Sequence, residues 1–170
     1  MTLRVVPKGG TELRAVANAN RVRILALLAG QPMTVSELAK EMGLRRSTVS
    51  QHVRQLAAAG TLFLAGGEGS ERRYRRLEPA PKWRIEDDRE RLQALNALAF
   101  EIARRWSGTQ GAGAEVTFDG EMWVEPRAWG RACEQMMAAV ETLRAAVMPP
   151  HAAGSMHVSV TSLFFDLGEE

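Results

Sequence analysis

Apolar residues recur at helical spacing through the first sixty positions and at strand spacing just beyond them. In residues 44–60, LRRSTVSQHVRQLAAAG, Val49, Val53 and Leu56 stand at i, i+4 and i+7 and share one side of a helix. Ser47, Gln51 and Arg54 fall on the opposite side, flanked by Ser50 and Gln55. His52 borders the apolar stripe, which suits packing better than readout. The preceding run, VSELAKEM, opens on a capping-box pattern, Thr34 with Glu37 three residues on, and Gly43 stops it. Upstream, Asn20 is the expected cap of RVRILALLAG, in which Ile24, Leu27 and Leu28 make a buried stripe ended by Gly30. Thr11 can cap a shorter helix with Leu13, Val16 and Ala17 on its apolar side. Residues 1–10 have no period and are expected to be a flexible arm.

After Gly60 the period becomes two. Residues 62–65 and 71–77, separated by the glycine-rich GGEGS, predict a β-hairpin. Two short helices around a tight glycine turn, followed by this hairpin, predict a winged helix-turn-helix unit over residues 11–81. The second strand should place Arg72, Tyr74 and Arg76 on one face and Arg73 and Arg75 on the other, with Tyr74 turned inward.

The remainder of the chain has a different pattern. Pro79, Ala80 and Pro81 make a linker, and Asp87 with Glu90 gives a second capping-box pattern at the start of a long helix ending near Trp106. Leu92, Leu95, Leu98, Ala99, Ile102 and Trp106 form a narrow seam on it, suited to pairing across a two-fold axis or to burial against the C-terminal domain. Residues 82–110 are therefore expected to be a linking and dimerisation helix. Within residues 111–170, 116–124 predict a hairpin with an Asp-Gly turn. A helix then starts at Pro126, with Trp129, Cys133, Met136, Val140, Leu143 and Val147 on one face, and residues 157–167 predict a last strand. The fold class expected is mainly α with small sheets: the winged unit, the long helix and a small α+β layer that senses a ligand or dimerises.

Charge sharpens this division. Residues 1–83 hold 14 Lys/Arg against 6 Asp/Glu, and residues 84–170 hold 8 against 14, so a net +8 half precedes a net −6 half. A basic module beside the polar helix points to a polyanion, and four arginines within residues 72–76 repel one another unless an anion neutralises them. An ordinary solvated helix face and a charged edge strand that blocks aggregation are the competing readings. Arg and Gln can each pair two-pronged with a purine edge, and short hydroxyls reach phosphate or base. A single cysteine, Cys133, excludes an internal disulfide framework, and with only His52, His151 and His157 beside it no metal-ligand spacing is present. No signal peptide or run of about 18 apolar residues is visible, so a cytoplasmic protein without membrane contact is expected. No nucleophile motif or phosphate-cradling loop points to an enzyme, and no cofactor is expected.

Together RVRILALL, SELAKEMGL, STVSQHVRQLAAAG and the arginine- and tyrosine-bearing wing strand resemble the winged helix-turn-helix domain of ArsR-type bacterial transcriptional regulators. The C-terminal layer resembles an extension on a subgroup of those regulators. The resemblance implies a homodimeric repressor on a double-stranded DNA operator, with dimerisation through the helices flanking the winged domain. The expected DNA-contacting residues are Arg45, Arg46, Ser47, Thr48, Ser50, Gln51 and Arg54 on the recognition helix and Arg72, Arg73 and Arg75 on the wing. The paired cysteines of the arsenic sensors and the histidine-bearing last helix of the zinc sensors are absent, so a metal-sensing repressor is disfavoured. A small apolar or aromatic organic effector is expected instead, in a pocket drawing on Trp106, Phe118, Met122, Trp129, Cys133, Met136 and Met137. The alternative from another class is a winged-helix protein-interaction module.

Overall fold

The computed structural model of the chain describes residues 16–77, 88–108 and 119–166. The N-terminal arm, the Thr11 cap, the linker with its Asp87 cap, and Phe118 with the start of the second hairpin lie outside them. The described elements are α1 (Ala19–Gly30), β1 (Met33–Thr34), α2 (Val35–Met42), α3 (Arg46–Ala58), β2 (Leu62–Gly66), a short 3-10 turn (Gly69–Glu71), β3 (Arg73–Arg76), α4 (Asp88–Ser107) and α5 (Pro126–Ala145). The chain divides into two units, Met1–Trp106 and Ser107–Glu170.

In the first unit, local chemistry sets the helix ends. Asn18, rather than Asn20, caps α1: its side chain accepts from the backbone N–H groups of Asn20 and Arg21. Either asparagine satisfies the pattern, but only an extended residue can turn its amide back on the first orphan donors, and Asn18 has φ −155°. The α2 start is the complete capping box. Thr34 Oγ1 accepts from the Glu37 N–H at 3.1 Å, and the Thr34 N–H donates to Glu37 Oε2 at 2.7 Å. Gly43, at φ 66°, ends α2 in the left-handed conformation, and α3 begins three residues later. Arg45 precedes α3 without capping it through its side chain.

The core is built from the residues that the periodicity marks. Ile24, Leu28, Leu38, Val49, Val53 and Leu56 are fully buried, joined by Met33, Met42 and Leu62, with Leu27 and Tyr74 packed at the margin. The sheet order is β1-β3-β2, all antiparallel, with Leu62 opposite Arg76 and Met33 opposite Tyr74. A bulge between Leu64 and Gly66 frees the wing tip to fold over, and a side chain on Gly67 would strike the Glu71 carbonyl. Thr34→Ala removes the cap acceptor from a buried position, and thermal unfolding should show a loss of about 0.5–2 kcal/mol. Glu37 is held below the usual carboxylate range, chiefly by its hydrogen bond from the Thr34 backbone and then by Arg73. Its stabilising contribution is thus present at neutral pH and disappears as pH falls through that lowered value.

α4 presents two faces. Glu90, Ala94 and Glu101 are buried and fall within about 40° of one another on the helical wheel, with Ala94 joining the core. Leu92, Leu95 and Trp106, from the apolar seam, lie roughly 150° round from them and remain exposed.

In the second unit, α5 follows Glu125 with Pro126 in its first turn. Trp129, Ala132, Cys133, Met136 and Val140 form its half-buried face. The segment beyond it meets this face: Trp129 stacks with Phe164 at 5.7 Å between ring centroids, and Ser162 Oγ lies 3.3 Å from Met136 Sδ. Residues 119–125 and 157–166 nevertheless form no strand ladder, in contrast to the expected hairpin and final strand. β-branched and aromatic side chains favour extension, but a strand also needs a neighbouring backbone to pair with, and the described residues of this unit supply none. Among the described residues, no helix is long and apolar enough to cross a membrane.

Candidate nucleic-acid interface

The interface is assembled on α3 because its other face is committed to the core. With Val49, Val53 and Leu56 buried, the geometry of the helix leaves Arg45, Arg46, Ser47, Gln51 and Arg54 exposed and Thr48 and Ser50 half-exposed. Arg54 Nε donates to the Ser50 carbonyl at 3.3 Å, which lays the side chain along the helix toward its N-terminal end. These residues offer guanidinium, amide and hydroxyl groups along nearly three turns of a helix, an element that a major groove is wide enough to admit.

The flank of α3 is fixed from α1. Arg21 Nη1 donates to Gln55 Oε1 at 2.6 Å, and His52 lies beside the pair. Burial and the neighbouring Arg21 charge push the His52 pKa below its ordinary value, so the ring is neutral at pH 7, and Nδ1 finds no partner among the described residues. His52 is a packing residue at the α1–α3 junction, as its place on the helical wheel suggests.

The wing divides its arginines. Arg72 and Arg75 are exposed, and Arg75 sits opposite Phe63 across the β2–β3 pair. Arg73 does not stand free, contrary to the expectation from strand alternation. Its Nη2 donates to Glu37 Oε1 at 2.8 Å, and its Nη1 to Glu37 Oε2 at 3.2 Å and to the Pro32 carbonyl at 3.1 Å. Both groups are nearly half-exposed, so the ion pair contributes about 0.2–1 kcal/mol. Its larger effect is geometric, since it fastens the wing strand to the start of α2. Strand alternation could not anticipate this, because Glu37 is 36 residues away in sequence and its carboxylate already had a local use in the cap. The wing tip also carries Glu68 and Glu71, both exposed, which turns the phosphate-seeking charge away from the tip and toward β3.

The expected effector residues are brought together in part. Trp129, Cys133 and Met136 share one face of α5, with Phe164 stacked on Trp129 and Ser162 beside Met136, whereas Met122 and Met137 are exposed. Trp106 belongs to the first unit and lies in the exposed seam of α4. Among the described residues, no three His, Cys, Asp or Glu side chains gather as a metal site would require.

Residues 16–60 match the family model of a helix-turn-helix domain. Among solved structures, the chain is similar to the crystal structure of a possible transcriptional regulator for arsenical resistance. That match is 26% identical, covers 58% of this chain and 96% of that one, and has a TM-score of 0.36. No curated protein matches the chain.

Proposed function

We propose that the chain is a sequence-specific DNA-binding transcriptional regulator of ArsR type. It acts in the cytoplasm as a homodimeric repressor and carries no enzymatic activity of its own. The observation that carries the reading is the exposed polar face of α3, presented by a helix-turn-helix over residues 16–60 and flanked by wing arginines. Gln51 and Arg54 read base edges, Ser47, Thr48 and Ser50 reach bases or phosphate, and Arg45, Arg46, Arg72 and Arg75 hold the backbone. Arg73 supports the wing through Glu37 and lends the phosphates a partly shared charge. The exposed seam of α4 supports pairing of two copies, and two recognition helices then address half-sites about 34 Å apart. The Trp129, Cys133 and Met136 face of α5 is where an apolar organic effector would be held, and its binding would alter the spacing of the recognition helices.

Arg54→Ala is expected to cost roughly 1–3 kcal/mol of specific affinity and to relax one base position in a selected site. Arg75→Gln should weaken all duplexes alike and lower the salt slope by about one. Fluorescence anisotropy against a duplex selected from a random pool, repeated over salt, distinguishes the two. Wild-type values in both variants would remove the assignment. A second reading, a winged helix that docks another protein, is favoured by the exposed Phe63 and Leu64 on β2 beside the acidic tip. It predicts a folded protein with no duplex affinity.

A further inference from the structure

Glu37 makes contacts of two kinds, divided between its carboxylate oxygens. Oε2 accepts from the Thr34 backbone N–H at 2.7 Å and closes the capping box of α2. Oε1 accepts from Arg73 Nη2 at 2.8 Å, and Arg73 Nη1 also reaches Oε2 at 3.2 Å. A capping box needs one acceptor at this position, which glutamine supplies as well as glutamate. The second oxygen and the negative charge are therefore not required by the helix. The wing arginine is what engages them.

Arg73 lies within the four arginines of residues 72–76, a cluster suited to a phosphate backbone. Its guanidinium fork is closed on Glu37, and Nη1 donates to the Pro32 carbonyl at 3.1 Å as well. A guanidinium already paired with a carboxylate brings little net charge to a phosphate, which must displace that carboxylate to take the fork. Both side chains are nearly half-exposed, so the pair is open to such competition rather than sealed against it.

We propose that Glu37 is a positioning residue for DNA binding, whose carboxylate withholds Arg73 from the phosphate backbone, so that each wing engages a duplex with one charge fewer than its sequence offers. The inference rests on the regulator reading. It lowers the sequence-independent part of the affinity, the part that holds the protein on DNA of any sequence, and leaves the reading face of α3 untouched.

Glu37→Gln separates the two uses. The single amide oxygen serves the Thr34 N–H, and an amide NH2 turned toward Arg73 meets a group with no acceptor. β3 keeps its backbone pairing with β1, Thr34 opposite Arg73. The full chain, Glu37→Gln, Arg73→Gln and the double variant are compared by anisotropy on the selected duplex and on a random one over a range of salt, with circular dichroism to confirm folding. Glu37→Gln should raise the affinity for both duplexes about threefold to tenfold at low salt and steepen the salt slope by about 0.9 for each wing engaged. Arg73→Gln should leave the slope close to wild type, and the double variant should match Arg73→Gln, because the carboxylate acts through the arginine. A folded Glu37→Gln protein with the wild-type slope, or a gain that persists in the double variant, would overturn the inference while leaving the regulator reading intact. So would a slope that falls by about 0.9 for each wing in Arg73→Gln, since Arg73 would then already be a full phosphate contact. A wild type that binds no duplex defeats both.

Discussion

Leu95→Glu is expected to convert the proposed homodimer to a monomer and to lower its affinity for a two-half-site operator by about two to four orders of magnitude. Leu95 lies in the α4 seam between Leu92 and Trp106, all three exposed in the single chain, while the opposite side of the helix is buried through Glu90, Ala94 and Glu101. A glutamate there sits in water in the monomer and costs the fold little. In a two-fold seam the substitution enters twice, and each carboxylate is desolvated among apolar partners, a cost of several kcal/mol without compensation. Losing the pair turns the second half-site contact from an intramolecular event into a bimolecular one, which accounts for the fall in affinity. Sedimentation velocity and operator binding check the two halves of the prediction. An unchanged dimer would place the two-fold contact elsewhere on the chain.

Leu56→Ala should be the most destabilising of the substitutions considered, at about 2–5 kcal/mol. Leu56 is fully buried on the inner face of α3, and the change removes transfer free energy and leaves a cavity. In a winged unit of this size, each kcal/mol lowers the unfolding midpoint by about 4–8 °C, so calorimetry should register the loss plainly. Arg54→Ala, two residues earlier on the exposed face, should stay within about 0.5 kcal/mol of wild type. The contrast between the two tests the division of α3 into a core face and a reading face. Equal destabilisation by both would mean that Arg54 is a structural residue.

The winged unit is legible in the sequence where the signal is local. The Thr34 and Glu37 box, the Gly43 stop and the Val49, Val53 and Leu56 stripe all depend on residues within a few positions of one another, and each appears where the pattern places it. What escapes the sequence is nonlocal. β1 is two residues long and exists because Met33 and Thr34 pair with Tyr74 and Arg73, some forty positions on. Arg73 departs from expectation for the same reason, since strand alternation gives the side of the sheet but not the carboxylate waiting there. On α4 the apolar seam is readable, yet the face buried within the unit is carried by Ala94 and two glutamates, which apolar periodicity overlooks. In the second unit the helix from Pro126 is announced by its start signal and its stripe. Residues 157–166 have strand composition without a ladder, because propensity cannot provide a partner strand. On α3, helical spacing is enough to tell the buried residues from the exposed ones. The contacts of Arg21 with Gln55 and of Arg23 with the Glu41 and Met42 carbonyls, which hold α3 and the end of α2 in place, are not readable from it, because each joins elements distant in sequence.

Whether α3 and the wing form a DNA-reading surface is decided by the duplex affinity of the full chain as a function of salt. Binding to a selected duplex in preference to a random one is expected. The logarithm of that affinity should fall linearly with the logarithm of salt concentration, by about 0.9 for each phosphate neutralised. A folded protein that binds no duplex at low salt would contradict the DNA-reading role of α3.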